Sequence, residues 1–153
     1  MKLAEALFRR ADAQKRIQQL RQRLMNNTLV QEGEEPAENP NQLLEELSRT
    51  LSELTQLVKQ INQTNIVTPF DEARTLTDVL AERDAIMWER NILVQLVQVT
   101  SLRQPRVGRS EVKFIRTVDV AEIQQRADAL AQQHRELDTQ IQALNWQTEL
   151  VEQ

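Results

Sequence analysis

The residues best suited to chemistry lie in rows that otherwise hold aliphatic side chains. His134, the only histidine, continues the heptad row of Ala127 and Leu130. A buried imidazole can ligate a metal ion or act as a general base, or it can fix helix register as a polar seam residue. One histidine without cysteines makes a poor zinc site, and the Glu-x-x-His motif of helical di-iron proteins is interrupted by Ala131. We favour the structural role for His134 and predict no catalytic residue.

Three arginines also fall in apolar rows: Arg10 in the first predicted helix, and Arg83 and Arg90 in the third. A buried guanidinium group needs acceptors, because unpaired burial is costly. Arg10 with Arg83 would line an anion or ligand pocket, or balance a carboxylate-rich metal site. Arg90 with His134 is the other candidate for a metal or small-anion site, and either site could be enzymatic. The alternative, which we favour, is that the arginines form salt bridges between helices or subunits. The acidic residues available as partners are Glu5, Asp12, Glu89, Asp128 and Glu149.

A basic segment precedes the last predicted helix. Its five basic residues and Glu111 give it a local charge of +4, in a chain of net charge −4. Such a segment can grip nucleic-acid phosphates or an anionic membrane face, or it can dock on the acidic linker at residues 32–38 of the same or a neighbouring subunit. We favour docking and do not expect nucleic-acid binding from an acidic chain. The basic residues are Arg103, Arg106, Arg109, Lys113 and Arg116.

Heptad patterns predict the helices that position these residues. We expect helices over about residues 2–30, 40–65, 76–102 and 119–151. In the last predicted helix the seam residues follow alternating steps of three and four without interruption, and the second predicted helix has a heptad pattern of its own. The seam of the last helix is Val120, Ile123, Ala127, Leu130, His134, Leu137, Ile141, Leu144, Thr148 and Val151, and the heptad of the second is Leu44, Leu47, Leu51, Leu54, Val58 and Ile61.

The third predicted helix is apolar on several faces. One face carries Trp88, Ile92, Leu96 and Val99 in addition to the rows that contain the arginines. A helix with so much apolar circumference is either central in its own subunit or buried against a second one.

The segment before the last helix predicts a short strand. Residues 111–118 alternate with a period near two, and Pro105 and Gly108 forbid a continuous helix. A strand needs a partner for its backbone groups. We expect it to pair with residues 102–107 in a hairpin, or with the same segment of another subunit.

The composition supports one all-α domain over residues 1–153. Only two glycines and 3% aromatic residues indicate an aliphatic helical core, and short connections make successive helices antiparallel. We therefore predict an elongated antiparallel four-helix bundle that forms a homo-oligomer, a dimer or higher. No apolar run reaches signal-peptide or transmembrane length, so we expect a cytoplasmic protein.

The chain resembles the septicolysin-like family of small bacterial helical proteins. The resemblance spans nearly the whole chain, and its most specific parts are residues 117–123 and 136–150; residues 30–40, 61–65, 76–84 and 109–114 also carry it. The resemblance implies a bacterial, mostly helical protein without an assigned activity, so no site residue can be transferred. Pore formation is not expected, since the chain shows neither a secretion signal nor an apolar inserting element.

The leading hypothesis is an oligomeric helical protein with a structural or interaction role, whose first partner is itself; other proteins are further candidate partners. No glycine-rich phosphate loop or nucleophile motif is present, so the sequence favours a non-enzyme without a cofactor and leaves enzymatic activity open. The alternatives are the metal or small-anion site and the basic segment as a nucleic-acid reader.

Overall fold

A computed structural model describes residues 1–101 and 112–152. The chain forms four helices, α1 (Leu3–Asn27), α2 (Pro40–Val67), α3 (Leu76–Ser101) and α4 (Val120–Gln147). This confirms the prediction of an all-α protein, with starts within one residue of those expected. None of the helices in the described ranges is long and apolar enough to cross a membrane.

The connection between α1 and α2 is held by side-chain amides. Asn27 is buried; its amide nitrogen donates to Arg23 O (2.7 Å), and its oxygen accepts from the backbone N–H of Glu38 (3.0 Å). The predicted end near residue 30 is therefore three residues too late, because Asn27 closes the helix. Asn39 caps α2 by accepting from the N–H of Asn41 (2.9 Å), as its polar side chain predicts.

The helices fall into two compact units. Unit 1 contains Met1–Thr77 and Gln142–Gln153, and unit 2 contains Asp78–Ile141. In unit 1, α1 and α2 are antiparallel, since Arg16 pairs with Glu46 and Arg23 with Glu38. In unit 2, α3 and α4 are antiparallel, since Arg83 pairs with Asp138 and Glu89 with Arg126. The joining of both pairs into one elongated bundle in a single domain stays a prediction.

The seam of α2 differs from the predicted heptad. Its most buried row runs at alternating steps of four and three and includes Thr50 and Thr64. Leu44 and Leu51, predicted seam residues, are instead exposed on the flank. Both threonines pack inside because their hydroxyls donate to the carbonyls four residues earlier (2.8 and 2.7 Å), which leaves their methyl groups for the core. The row is Leu43, Leu47, Thr50, Leu54, Leu57, Ile61 and Thr64.

A clasp between the two chain ends closes unit 1. The N–H of Leu3 donates to Thr148 O (2.9 Å), and the N–H of Leu150 donates to Met1 O (2.8 Å). The α-amino group of Met1 also pairs with the Glu149 carboxylate (3.3 Å). Residues 148–151 are therefore not helical, and α4 ends four residues before the predicted boundary.

The strand predicted over residues 111–118 is not formed in its described part. Residues 112–118 have no regular secondary structure. An alternating pattern gives a stable strand only if one face is buried and the edge is paired. Here Val112 and Phe114 on one face and Ile115 on the other are all exposed, so no buried face selects the strand. The proposed hairpin partner, residues 102–107, lies outside the described residues.

Candidate functional site

Arg83 lies in the seam between α3 and α4, at the position predicted from steps of seven. The α3 seam alternates steps of three and four, and Arg83 occupies it between Val79 and Ile86. Its Nη1 donates to Asp138 Oδ1 (2.8 Å), with the two side chains 24% and 36% exposed. Its charge is therefore neutralised within unit 2 by a residue that was not among the predicted partners. Antiparallel pairing was the available signal, because it places Asp138 level with Arg83.

Arg90 and His134 are also half-buried seam residues. Within the described residues, the only hydrogen bond of Arg90 joins its Nη1 to Asn91 Oδ1 at the long distance of 3.5 Å. The two flanking ion pairs put His134 of α4 at a level between Arg83 and Arg90. No group of three or more His, Cys, Asp or Glu side chains suited to a metal ion occurs in the described ranges.

Arg10 occupies the α1 seam between Ala6 and Ala13 and is half-buried there. The two alanines are almost fully buried, so their small size leaves room for the arginine stem. No ion pair of Arg10 is formed with the part of the chain that the structure describes. Arg10 belongs to unit 1 and Arg83 to unit 2, and their predicted shared pocket stays a prediction.

A charged hollow of about 240 Å³ lies between α1 and α2. It forms where the small side chains of Ala13 and Thr50 face each other in the seam. Arg16, on its wall, donates through Nε to Glu46 Oε1 (3.0 Å), and this hydrogen bond lowers the pKa of Glu46 below its usual range. A second, shallower depression of about 450 Å³ on α2 involves Leu44. Both are open surface features with mixed polarity.

The outer face of α3 carries a row of exposed apolar side chains in the described part of unit 2. Trp88, Ile92 and Val99 are 72%, 58% and 67% exposed, and Leu96 lies beside them. Ala81, Ala85, Trp88, Ile92 and Val99 lie on one row with alternating steps of four and three, in which the polar Gln95 fills the remaining position and Leu96 lies next to it. This is the spacing of a second seam. An exposed and mostly apolar stripe of this kind marks an interaction surface. The sequence-based alternative of a central α3 is therefore wrong for this face of the isolated chain.

The described part of the basic segment follows the C-terminal end of α3. Arg116 donates to Thr100 O in the last turn of α3 (3.2 Å), which fixes the segment near that end. Lys113 is exposed and forms no ion pair with any described residue. Exposed Phe114 and Ile115 lie between the two cations. Arg103, Arg106 and Arg109 lie outside the described residues.

The comparisons with known proteins identify a family but no activity. The model of DUF6847, a family of unknown function, matches residues 10–150. A crystal structure of a functionally unknown conserved protein from Corynebacterium diphtheriae is 46% identical, covers 99% of both chains and superposes with a TM-score of 0.90. No curated protein matches. These findings confirm the coarse prediction of a family without an assigned activity. With more than half of its length matched, the chain belongs to the DUF6847 family of unknown function.

Proposed function

We propose that this protein is a self-associating helical protein with a structural or interaction role, and that the outer face of α3 is the surface through which copies associate. The observation that carries the proposal is the heptad stripe with Trp88 and Ile92 on the outside of the α3–α4 pair. Seam spacing is useful only to a helix that packs lengthwise on another helix, and the other side of α3 already faces α4.

The distribution of polarity around α3 supports this surface. The seam towards α4 carries Arg83 and Arg90, whereas the solvent-facing stripe carries no charged side chain. Full burial of a large apolar side chain is worth about 1.5–3 kcal/mol. Burial of this stripe against a matching stripe would therefore release free energy that offsets the entropic cost of association.

A second copy of the chain is the partner that fits this stripe. Its steps of four and three are matched by the same steps in another copy, and a two-fold arrangement uses one surface twice. The uncharged second half of α3, residues 91–101, also offers nothing that would select a highly charged partner.

The experiment compares two isoleucines with equal exposure on different helices. Ile92 on the α3 stripe is 58% exposed, and Ile66 near the end of α2 is 57% exposed. The mass of the wild type and of Ile92→Glu and Ile66→Glu is measured by light scattering across a micromolar concentration series. We expect Ile92→Glu to weaken association by at least about tenfold, because it buries a charge without a partner, and Ile66→Glu to leave it unchanged. A wild type that stays monomeric throughout, or two variants that weaken association equally, would contradict the proposal.

The finer sequence-based predictions stay predictions alongside this proposal. They are the elongated bundle, the cytoplasmic location and the septicolysin-like resemblance. The metal or small-anion site at Arg10, Arg83, Arg90 and His134, and nucleic-acid recognition by the basic segment, are the alternatives to it.

A further inference from the structure

We infer that two copies pack their α3 helices antiparallel, with the two-fold axis level with Arg90 and residues 112–116 of each copy against the acidic first half of the other copy's α3. This inference rests on the proposed function and adds the orientation and the second contact. It is carried by the order of side chains along the stripe and by the charge distribution along α3.

The side chains of the stripe are complementary in size when mirrored positions about residue 90 are paired. An antiparallel copy places Trp88 opposite Ile92, and Ala81 opposite Val99. Large side chains then meet at the centre, and a small one faces a larger one at each end, which is the complementarity that close packing requires. A parallel copy places Trp88 on Trp88 and Ala81 on Ala81, which crowds the centre and leaves gaps at one end.

Charge selects the same orientation. The first half of α3 carries Glu82 and Asp84 at positions that flank the stripe, whereas residues 91–101 carry no charge. In a parallel pair these carboxylates would lie beside their own copies, and like charges at flanking positions repel. In an antiparallel pair they lie beside the uncharged half of the other helix.

Residues 112–116 then have an acidic partner. The hydrogen bond from Arg116 to Thr100 O holds these residues near the C-terminal end of α3, and the antiparallel arrangement brings that end level with Leu80 of the other copy. Lys113 would lie close to the other copy's Asp84. The Asp84 side chain is 67% exposed, and its ion pair with Arg83 is long, at 3.9 Å between Oδ1 and Nε. The exposed cation Lys113 is thereby matched by a carboxylate of the other copy.

The size of the surface also requires a contact beyond the helix. The stripe from Ala81 to Val99 is about 27 Å long and roughly 10 Å wide, well below the roughly 800 Å² that each partner buries in a standard interface. Exposed Val112, Phe114 and Ile115 can supply the additional apolar area beside the same helix.

Cysteine cross-linking tests the orientation, because the chain contains no cysteine of its own. Ala85 and Gln95 are exposed stripe positions at equal distance from residue 90. Copies of Ala85→Cys and Gln95→Cys, one of them isotopically labelled, are mixed and oxidised, and the disulfide-linked pairs are identified by mass spectrometry. We expect the mixed 85–95 pair to exceed both same-position pairs by at least about tenfold. A dominant 85–85 pair would overturn the antiparallel arrangement while leaving self-association intact, whereas a monomeric wild type would overturn the proposed function itself.

Charge exchange tests the second contact. Lys113→Glu and Asp84→Lys should each weaken association several-fold, and the double variant should recover most of the loss because the pair is restored with reversed sign. Ala85–Gln95 cross-linking in each variant shows whether the helices still align. Single variants that associate like the wild type, or a double variant as weak as the sum of both, would overturn the contact between the basic segment and α3.

Discussion

The two helical pairs use the same heptad spacing in opposite ways. The α1–α2 pair of unit 1 buries Leu20, Leu57 and Ile61 in its seam and places the Arg16–Glu46 ion pair on its flank. The α3–α4 pair of unit 2 holds three ionisable side chains in its seam and shows Trp88 to solvent. The seam of the first pair is mostly apolar apart from Arg10 and two threonines, whereas the second pair has ionisable side chains inside and a tryptophan-containing apolar row outside. Periodicity therefore identifies a packing face, but the polarity of that face indicates what is packed on it.

The largest expected difference between the pairs is the cost of removing a seam leucine. Leu20 of α1 is fully buried, and Leu130 of α4 is only half-buried. We expect Leu20→Ala to lower the free energy of unfolding by about 3–5 kcal/mol and Leu130→Ala by about half as much, because the loss scales with the cavity that remains.

Each unit carries one tryptophan that can report on it: Trp146 in unit 1 and Trp88 in unit 2. Urea unfolding followed by fluorescence in Trp88→Phe and Trp146→Phe backgrounds separates the two transitions. Equal losses for Leu20→Ala and Leu130→Ala would contradict the difference between the seams.

A smaller effect is expected from the ion pair inside the α3–α4 seam. Arg83→Met should change the free energy of unfolding by less than about 1 kcal/mol, because an apolar side chain of similar length replaces a charge that needs a partner. Asp138→Ala should lower it by roughly 1 kcal/mol or somewhat more, because Arg83 stays half-buried without its acceptor. Urea unfolding of both variants, read through Trp88, provides the measurement. If Arg83→Met is the more harmful substitution, the ion pair stabilises the seam and the contrast with unit 1 is smaller than described.

The smallest expected effect is a loss of unit 1 stability in acid. The hydrogen bond from Lys2 and that from the terminal amine of Met1 lower the pKa of Glu149 below its usual 4.5, and the Arg23 guanidinium likewise lowers the pKa of Glu38. A lowered folded-state pKa gives stability that is complete above the unfolded-state pKa and is lost as pH falls through the folded value. The effect is modest because these groups are exposed to solvent.

Urea midpoints read through Trp146 should therefore decrease when the pH is lowered from about 7 to about 3.5. Glu149→Gln should reduce this pH dependence, because its side chain has no proton to gain. An unchanged pH dependence in Glu149→Gln would show that the clasp between the chain ends does not contribute to it.

The sequence was most informative where only one heptad row fits the residues of a helix. The α4 row from Val120 to Leu144 lies on the packed side of the helix as predicted, whereas Thr148 and Val151 of the predicted seam lie beyond its end. Arg83 and Arg90 lie in the α3 seam, as their spacing of seven residues predicts. The α2 row was displaced because Leu43 and Leu44 are both apolar, so two heptads fit the same residues. Only the contact with α1 selects between the two heptads. Thr50 and Thr64 look unsuited to a buried row in the sequence, because their hydrogen bonds to backbone carbonyls of α2 become apparent only in the structure.

For the outer face of α3, the sequence left two interpretations open. Trp88, Ile92 and Val99 indicated a helix with an extra apolar face, but spacing could not distinguish a central helix from one with an outward face. That distinction depends on how far neighbouring elements cover the face, which is a long-range property. The strand predicted over 111–118 failed for a related reason, because alternation along a short segment cannot show whether a partner strand is present.

The clasp of Met1 and Leu3 with Thr148 and Leu150 nearly closes the chain, unit 2 included, into a ring. Because Leu150 and Thr148 bond to the backbone of Met1 and Leu3, a short added peptide could join the ends, and the ring could be opened elsewhere. The exposed acidic turn around Gly33, whose φ of +87° suits glycine, is the natural place for the opening. A circular permutant starting there would carry its new ends on the solvent side of the α1–α2 hairpin and keep every helix in its present neighbourhood.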